Sequence, residues 1–156
     1  MDFWASERSQ VRTLQASLHE KTLIFSVFSV FDLGCYWLTA VSSATSTEEI
    51  GNDIHYGTKR ILDKYAIPYR RREATQLTRS DYNRYDLFIG MDSANIRNML
   101  RIFGSDPDSK VVKLLDLTDR HGDVADPWYT GNFEDTYRDV TLGCEALIDR
   151  LSESII

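Results

Sequence analysis

The sequence predicts an α/β fold built on a mostly parallel sheet. Continuous apolar runs alternate along the chain with segments whose apolar residues recur at helical spacing. A continuous apolar run is typical of a strand covered on both faces, and strands that alternate with helices are typical of parallel sheets. The 156 residues, 42% of them hydrophobic and 27% charged, indicate one globular domain over residues 1–156. In such a fold, function is expected at the carboxyl ends of the strands.

The first half of the chain predicts two helices and two strands. The predicted elements are a helix over 6–20, strands over 22–31 and 36–42, and a helix that ends at Pro68. Ser6 is suited to cap the first helix, because its hydroxyl can accept from a free backbone N–H. Asn52 or Asp53 is expected to cap the second helix for the same reason.

The second half continues the alternation. The predicted elements are a short helix after Thr78, strands over 85–91 and 111–115, a helix after Asp92 and a final helix from Phe133. Thr78 and Asp81 have the spacing of a capping box. The residues expected to face the core are Ile96, Met99, Leu100 and Phe103 on the helix after Asp92, and Tyr137, Val140, Cys144, Leu147 and Leu151 on the last helix.

The composition argues against several classes of function. A net charge of -6 without a basic face argues against nucleic acid as a partner. Two cysteines far apart in the sequence give no disulfide framework and fit a reducing compartment, so a cytoplasmic location is expected. Three dispersed histidines lack metal-ligand spacing, so we expect no metal and no cofactor.

The apolar run of residues 23–41 is long enough to suggest a membrane span. Asp32 at its centre would cost about 2.5–3.5 kcal/mol in a bilayer, which cancels most of the gain from its apolar residues. Gly34 and the many β-branched and aromatic residues favour two buried strands around a turn. Residues 1–10 are polar and carry acids early, unlike a secretory signal. We therefore expect no membrane association.

Residues 126–137 read DPWYTGNFEDTY and combine an acid, a proline, adjacent aromatics and a glycine turn. A contribution to stability alone does not explain a carboxyl group and two aromatic rings on an exposed loop. They suit the placement of a proton donor, Asp126, beside a flat substrate that Trp128 and Tyr129 contact. The alternative interpretation of Asp126 is a turn residue that precedes proline.

Several segments from about residue 42 onward form a specific set. They read SSATSTEEIGN, YAIPY, RREATQLTRSDYNRYDLFIGMDSANIRNM, VVKLLDL, DVADPWYTGNFEDTYRDV and GCEALIDRL. In order and spacing, these segments closely resemble the low-molecular-weight protein tyrosine phosphatases over about three-quarters of the chain. The combination of DPWYTGNFE with MDSANIRN is the specific part, and the variant is closer to bacterial members. Residues 42–156 are therefore family-like, and residues 1–41 are divergent.

The resemblance implies a three-layer fold of the phosphotyrosine phosphatase I type, with a four-stranded, mostly parallel twisted sheet and helices on both faces. It also implies hydrolysis of phosphotyrosine, in a protein or an aryl phosphate, through a cysteinyl-phosphate intermediate. The family's nucleophile lies in an N-terminal C-x5-R-S loop, where backbone amides and the arginine hold the phosphate and lower the thiol pKa. Asp126 would protonate the leaving phenolate as general acid, and Trp128 and Tyr129 would wall the cleft.

Residues 1–41 carry no such loop. The sixth residue after Cys35 is Val41 rather than arginine, and no cradle of small residues follows the cysteine. Cys144 and Arg150 match C-x5-R in the segment CEALIDR, but that segment lies in the predicted last helix. Residues six apart on a helix are turned about 240° from each other, so the thiol and the guanidinium point apart. Cys144 is therefore interpreted as a core residue, and no nucleophile is identified.

Without a nucleophile, we expect a family member whose catalysis is impaired or lost. A general acid alone contributes about 10²–10⁴-fold in rate, and the covalent route would be closed. One alternative is a pseudophosphatase that keeps the fold and acts as a binding module. A thiol-dependent arsenate reductase is disfavoured, because that activity needs two or three cooperating cysteines near the cleft. True divergence of residues 1–41 and a frame or splice error are both open explanations.

Overall fold

The computed structural model describes residues 41–45, 47, 53–69, 71 and 75–153. Four of these residues are described by their backbone alone, namely Trp128, Tyr129, Ser152 and Glu153. The predicted helix over 6–20 and strand over 22–31 lie outside the described residues, as do most of the strand over 36–42 and the apolar run of residues 23–41. Val41 and Ser42 are described and lie in no strand. Within the described ranges, no helix is long and apolar enough to cross a membrane.

The described residues form four α-helices, two 3-10 helices and two strands. In chain order they are α1 (Tyr56–Lys64), a first 3-10 helix (Arg79–Asn83), β1 (Phe88–Gly90), α2 (Ser93–Phe103), β2 (Val111–Lys113), a second 3-10 helix (Leu114–Leu117), α3 (Pro127–Thr130) and α4 (Phe133–Glu153). Strands and helices alternate from β1 onward, as the apolar pattern predicts.

β1 and β2 pair in parallel, with α2 as the crossover between them. The register sets Phe88 opposite Val111, Ile89 opposite Val112, and Gly90 opposite Lys113. Parallel neighbours need such a crossover, because the chain must return to the same end of the sheet. A separate parallel bridge joins Ala44 to Gln76. The parallel geometry predicted for the sheet is therefore present at both pairings.

Two apolar clusters lie on opposite faces of β1. Phe88, 2% exposed, belongs to one cluster, and its neighbour Ile89, 8% exposed, belongs to the other, because successive strand residues point to opposite faces. The first cluster comprises Leu77, Tyr82, Phe88, Met99 and Phe103. The second comprises Ile89, Met91, Leu114, Leu115, Val124, Val140, Cys144 and Leu147. Helix α2 thus covers one face of β1 and α4 covers the other, which gives the predicted layering of helix, sheet and helix.

Two helix starts form at the polar residues that the sequence assigns to them. The Oδ1 atom of Asp92 accepts from the Asn95 N–H at 2.6 Å and caps α2. At its other end α2 stops at Gly104, whose φ of 84° suits glycine. The Oδ2 atom of Asp81 accepts from the Thr78 N–H at 2.9 Å, as expected of a capping box at the first 3-10 helix. These local predictions are confirmed.

The cap of α1 is His55 rather than Asn52 or Asp53, so the predicted cap is wrong. The Nδ1 atom of His55 accepts from the Gly57 N–H at 3.2 Å. Asp53 lies before the helix, and its carboxylate accepts from Lys59 Nζ at 2.7 Å. The helix start is therefore shifted because a ring nitrogen satisfies the free N–H and the carboxylate pairs with a lysine.

Several predicted boundaries also shift. The strand predicted over 111–115 ends at Lys113, because Leu114 and Leu115 form a 3-10 turn, are 0% exposed and pack with α4. The strand predicted over 85–91 is present only at residues 88–90. Helix α1 ends at Lys64, before the predicted Pro68. Leu100 is 38% exposed rather than buried, since the core face of α2 is carried by Met99 and Phe103.

Candidate functional site

A connecting segment crosses the carboxyl ends of β1 and β2 and leads to Asp126. Residues 123–125, here called the approach segment, form its last part. Val124 is buried, and its N–H donates to the Met91 carbonyl, directly after β1, at 2.9 Å. The approach segment is thereby fixed to the edge of the sheet where an α/β fold places its functional groups.

Asp123 anchors the start of the approach segment. Its Oδ1 atom accepts from Lys113 Nζ at 3.0 Å, from the Ser93 hydroxyl at 2.9 Å and from the Ser93 N–H at 3.2 Å. Burial raises the pKa of this carboxyl, but the hydrogen bonds from Lys113 and Ser93 outweigh burial and hold the pKa below its ordinary value. The same contact raises the pKa of Lys113. Asp123 is therefore a carboxylate tied to the end of β2 and the start of α2.

Ala125, the residue before Asp126, is held by two polar side chains of α4. The Ala125 N–H donates to Asp139 Oδ2 at 3.1 Å. The Thr136 hydroxyl donates to the Ala125 carbonyl at 2.6 Å. Thr136 is 0% exposed and Asp139 is 2% exposed. The other carboxylate oxygen of Asp139 accepts from the Arg120 guanidinium.

Asp126 is partly buried and lies immediately before α3. Its carbonyl accepts from the Thr130 N–H at 3.2 Å and from the Thr130 hydroxyl at 3.1 Å. Pro127 takes the first position of α3, where its missing N–H leaves no bond unmade. The backbones of Trp128 and Tyr129 follow in the same turn, and their side chains lie outside the described atoms. The three predicted site residues therefore lie together, with Asp126 immediately before α3 and Trp128 and Tyr129 within it.

Residues 126–132, here called the acid loop, end at the start of α4. Gly131 has a φ of 66°, a conformation that glycine adopts without a steric penalty. The Asn132 side-chain oxygen accepts from the N–H groups of Glu134 at 3.1 Å and Asp135 at 3.3 Å. This side chain supplies the N-terminal cap of α4, a role that the sequence interpretation did not assign to it.

α1 packs against the start of α4 through an aromatic contact. The Phe133 ring occupies the space beside Gly57, where a Cβ atom would come within 2.2 Å of its Cζ. The same ring stacks on His55, with 5.5 Å between centroids and 5° between planes. His55 therefore contributes both a helix cap and a ring contact.

A polar contact accompanies this aromatic packing. Lys64 and the Tyr65 hydroxyl both donate to Glu134, and the tyrosine bond measures 2.8 Å. The hydrogen bond from Lys64, followed by that from Tyr65, lowers the pKa of Glu134. A surface cavity of about 420 Å³ lies beside this pair and is lined by Arg60, Ile61, Lys64 and residues 131–134. The end of the acid loop thus borders an open cavity with cationic and apolar walls.

The surroundings of the Cys144 thiol do not suit a nucleophile. It is 0% exposed in the core cluster of α4, and burial raises its pKa far above the ordinary value. Arg150, six residues on, is exposed on the same helix. The core interpretation of Cys144 is therefore confirmed. Across the part of the chain that the structure describes, no group of three or more His, Cys, Asp or Glu side chains could hold a metal ion.

The family model described as low molecular weight phosphotyrosine protein phosphatase matches residues 32–155, well over half of the chain. This chain belongs to that family. The resemblance to this family is thereby confirmed, and the family model matches from Asp32, ten residues before the segment that the sequence interpretation assigned to the family.

Individual members of the phosphatase family agree with this assignment. YfkJ of Bacillus subtilis, a low molecular weight protein-tyrosine-phosphatase, is 34% identical over 113 residues, which cover 71% of this chain and 72% of YfkJ. Its crystal structure matches with a TM-score of 0.70, covering 74% of each chain. PtpA of Staphylococcus epidermidis is 36% identical over 109 residues, which cover 69% of each chain. The crystal structure of SP-PTP from Streptococcus pyogenes matches with a TM-score of 0.68 and 34% identity, covering 92% of this chain and 85% of that one. These structures confirm the predicted α/β fold class.

The residues around Ala125 are the part of the candidate site that the sequence interpretation missed. A signal for them exists in α4, because Thr136 and Asp139 interrupt its apolar face one turn apart. Buried polar side chains almost always make hydrogen bonds, so polar residues on a core-facing stripe indicate a partner segment. The sequence does not reveal that this partner is the approach segment, since the contact spans 11 residues for Thr136 and 14 for Asp139.

Proposed function

We propose that this chain has kept the acid half of a low molecular weight protein tyrosine phosphatase site and has lost the nucleophile half. Hydrolysis of phosphotyrosine, in a protein or an aryl phosphate, is then impaired or absent. The observation that carries the proposal is the cysteine inventory. Cys35 has Val41 where the resemblance calls for arginine, and Cys144 is 0% exposed in the core.

In the proposed site Asp126 is the general acid. It would donate a proton to the phenolate oxygen as the bond from phosphorus to that oxygen breaks. Trp128 and Tyr129 would wall the cleft and contact the substrate ring. The support for this arrangement is the anchoring of the acid loop, which is held before Asp126 at Ala125 and after it at Asn132.

The proposed loss of activity follows from the size of the missing contributions. A general acid supplies about 10²–10⁴-fold in rate, well short of the enhancement of about 10⁶-fold or more that enzymes reach. The covalent intermediate needs a thiolate, and a fully buried thiol with a raised pKa does not supply one. Charge stabilisation of the phosphate by an arginine and backbone amides would be lost as well.

The proposed substrate follows from the family, and the proposed location follows from composition. The family description names phosphotyrosine protein phosphatases, so a phosphotyrosine protein is the proposed partner. A net charge of -6 argues against nucleic acid. Two cysteines separated by more than 100 residues fit the reducing cytoplasm, which is the proposed location.

The test is hydrolysis of 4-nitrophenyl phosphate by the purified full chain at mildly acidic pH, with YfkJ assayed alongside as the reference. We expect a rate at least about 10²-fold below that of YfkJ, the lower limit set by losing one major catalytic contribution. Any residual turnover should fall in Asp126→Ala and persist in Cys144→Ala. A rate equal to that of YfkJ would overturn the proposed impairment.

The same experiment addresses the pseudophosphatase alternative. Complete absence of turnover, together with no stable adduct with vanadate, would assign the chain to that class. A vanadate adduct that forms in the wild type and survives Cys144→Ala would instead point to a phosphate cradle within residues 1–41.

A further inference from the structure

We propose that Thr136 and Asp139 of α4 are positioning residues that hold Asp126 at the carboxyl edge of the sheet. This inference rests on the proposed role of Asp126 as general acid. The two side chains act through Ala125, whose backbone they bind on both of its polar groups. We call this arrangement the α4 clasp.

The geometry of the α4 clasp is complete on the side of Ala125. Its N–H donates to Asp139 Oδ2 at 3.1 Å, and its carbonyl accepts from the Thr136 hydroxyl at 2.6 Å. The same hydroxyl lies 3.4 Å from the Asn132 carbonyl at the end of the acid loop. The Arg120 guanidinium donates to the second carboxylate oxygen of Asp139, which fixes the rotation of that side chain.

Burial makes a purely stabilising role a poor explanation for these residues. Thr136 is 0% exposed and Asp139 is 2% exposed, on the face of α4 that otherwise carries Val140, Cys144 and Leu147. Apolar side chains of similar volume often stabilise a core as well as a buried ion pair does or better, because no charge must be desolvated. The buried Asp139 side chain instead fixes the orientation of the approach segment, through its hydrogen bond with the Ala125 N–H.

The orientation of Ala125 constrains Asp126 through the peptide group that joins the two residues. The carbonyl that Thr136 binds belongs to the peptide group joining Ala125 to Asp126, so this group cannot rotate freely. Beyond Asp126, its own carbonyl is bound by Thr130 at 3.2 Å and 3.1 Å. Asp126 is therefore held between two fixed peptide groups. A misplacement of about 1 Å can cost about 10²-fold in rate, so this fixing is large enough to matter for proton donation.

The test compares Thr136→Val with Thr136→Ser by residue-resolved amide hydrogen exchange. Valine keeps the shape and removes the hydroxyl, whereas serine keeps the hydroxyl and removes a methyl group. We expect exchange at the Ala125, Thr130 and Gly131 amides to rise about tenfold in Thr136→Val and to stay near wild type in Thr136→Ser. Asp139→Asn should raise exchange at the same amides.

Thr141→Val is the matched control, because the Thr141 hydroxyl donates only within α4, to the Tyr137 carbonyl at 2.9 Å. This variant should leave the acid loop amides unchanged. Equal exchange in Thr136→Val and Thr136→Ser would overturn the inference. So would a uniform rise that includes the amides of Phe88–Gly90, since that result would mean a general loss of stability.

Failure of the α4 clasp and failure of the proposed function give different results. Hydrogen exchange needs no turnover, so it decides the clasp even in an inactive chain. Turnover at the rate of YfkJ would sink the proposed impairment alone. In that case Thr136→Val should lower kcat without changing KM, and it should do so more for phenyl phosphate than for 4-nitrophenyl phosphate. The poorer leaving group depends more on the acid, whereas a merely structural role would affect both substrates equally.

Discussion

Cys144 matches the C-x5-R motif in sequence, but its buried position prevents it from acting as a nucleophile. It belongs to the same core cluster as Leu114 and Leu115, all three 0% exposed. Burial, followed by the nearby charge of Glu145, disfavours the thiolate and raises the pKa. At the residue scale, surroundings decide what a side chain can do, and spacing alone does not.

This burial predicts a slow thiol. In a Cys35→Ser variant, Cys144 is the remaining cysteine of the chain. We expect it to react with Ellman's reagent very slowly at pH 8 in the folded protein and promptly in guanidinium chloride, because the thiolate forms only on unfolding. The control is Cys35→Ser/Cys144→Ala, which should release no thionitrobenzoate under either condition. Prompt reaction of the folded protein would restore Cys144 as a candidate nucleophile.

Single residues also set the limit of what the sequence predicts about the site. Asp126 is identifiable because the segment around it is specific, and the cap at Asp92 because it uses a neighbouring N–H. The α4 clasp is not identifiable in the same way, because Thr136 and Asp139 lie 11 and 14 residues from the Ala125 backbone that they bind. His55 illustrates the intermediate case, in which a local cap exists but a ring nitrogen supplies it in place of the expected Asn52 or Asp53.

At the scale of elements, α4 is shaped by what it packs against. Gly143 faces the second 3-10 helix, and a Cβ atom built on it would lie 2.3 Å from Leu114 Cγ. The predicted apolar stripe of α4 is confirmed because helical periodicity is local. The premature end of β2 was not predictable from Val111–Leu115, because it depends on how closely α4 approaches the turn that follows the strand.

The close approach of α4 to Leu114 predicts that Gly143→Ala destabilises the protein, although glycine to alanine in a helix usually stabilises it. Glycine to alanine inside a helix usually stabilises by about 1 kcal/mol. Gly143→Ala should instead destabilise by about 1–2 kcal/mol, since the added methyl overlaps the fully buried Leu114 and overpacking costs about 1–3 kcal/mol. The measurement is the free energy of unfolding from urea titration. Leu142→Ala, at a neighbouring position that is 41% exposed, is the control and should change stability little. A gain of stability in Gly143→Ala would contradict the described packing.

Three carboxylates with lowered pKa values lie in separate segments of the described chain. Asp106 lies in the turn before β2, Asp123 in the approach segment and Glu134 at the start of α4. For Asp106, burial raises the pKa, but hydrogen bonds from the Tyr82 hydroxyl at 2.6 Å and from the backbone N–H groups of Val111 and Lys110 outweigh it and lower the pKa. Each of these acids therefore favours the folded state most when it is ionised.

The expected consequence is loss of stability in acid. The folded pKa values lie below the ordinary values of 3.8 for Asp106 and Asp123 and 4.5 for Glu134. Their stabilisation is complete above those ordinary values and is lost as pH falls through the folded ones. Urea midpoints should fall steeply when the pH is lowered from 5 toward 3. Asp106→Asn should weaken this decline, and a midpoint that stays flat over that range would refute the assignment.

The α4 clasp has a consequence for how this chain could be rebuilt. The described anchors of the approach segment and Asp126 come from residues 91–139. Splicing the amino-terminal segment of a family member that carries the C-x5-R loop onto residue 42 would therefore add a nucleophile beside an anchored Asp126, the proposed proton donor. Recovery of turnover in such a chimera would measure how well the acid loop of this chain works once a nucleophile is supplied.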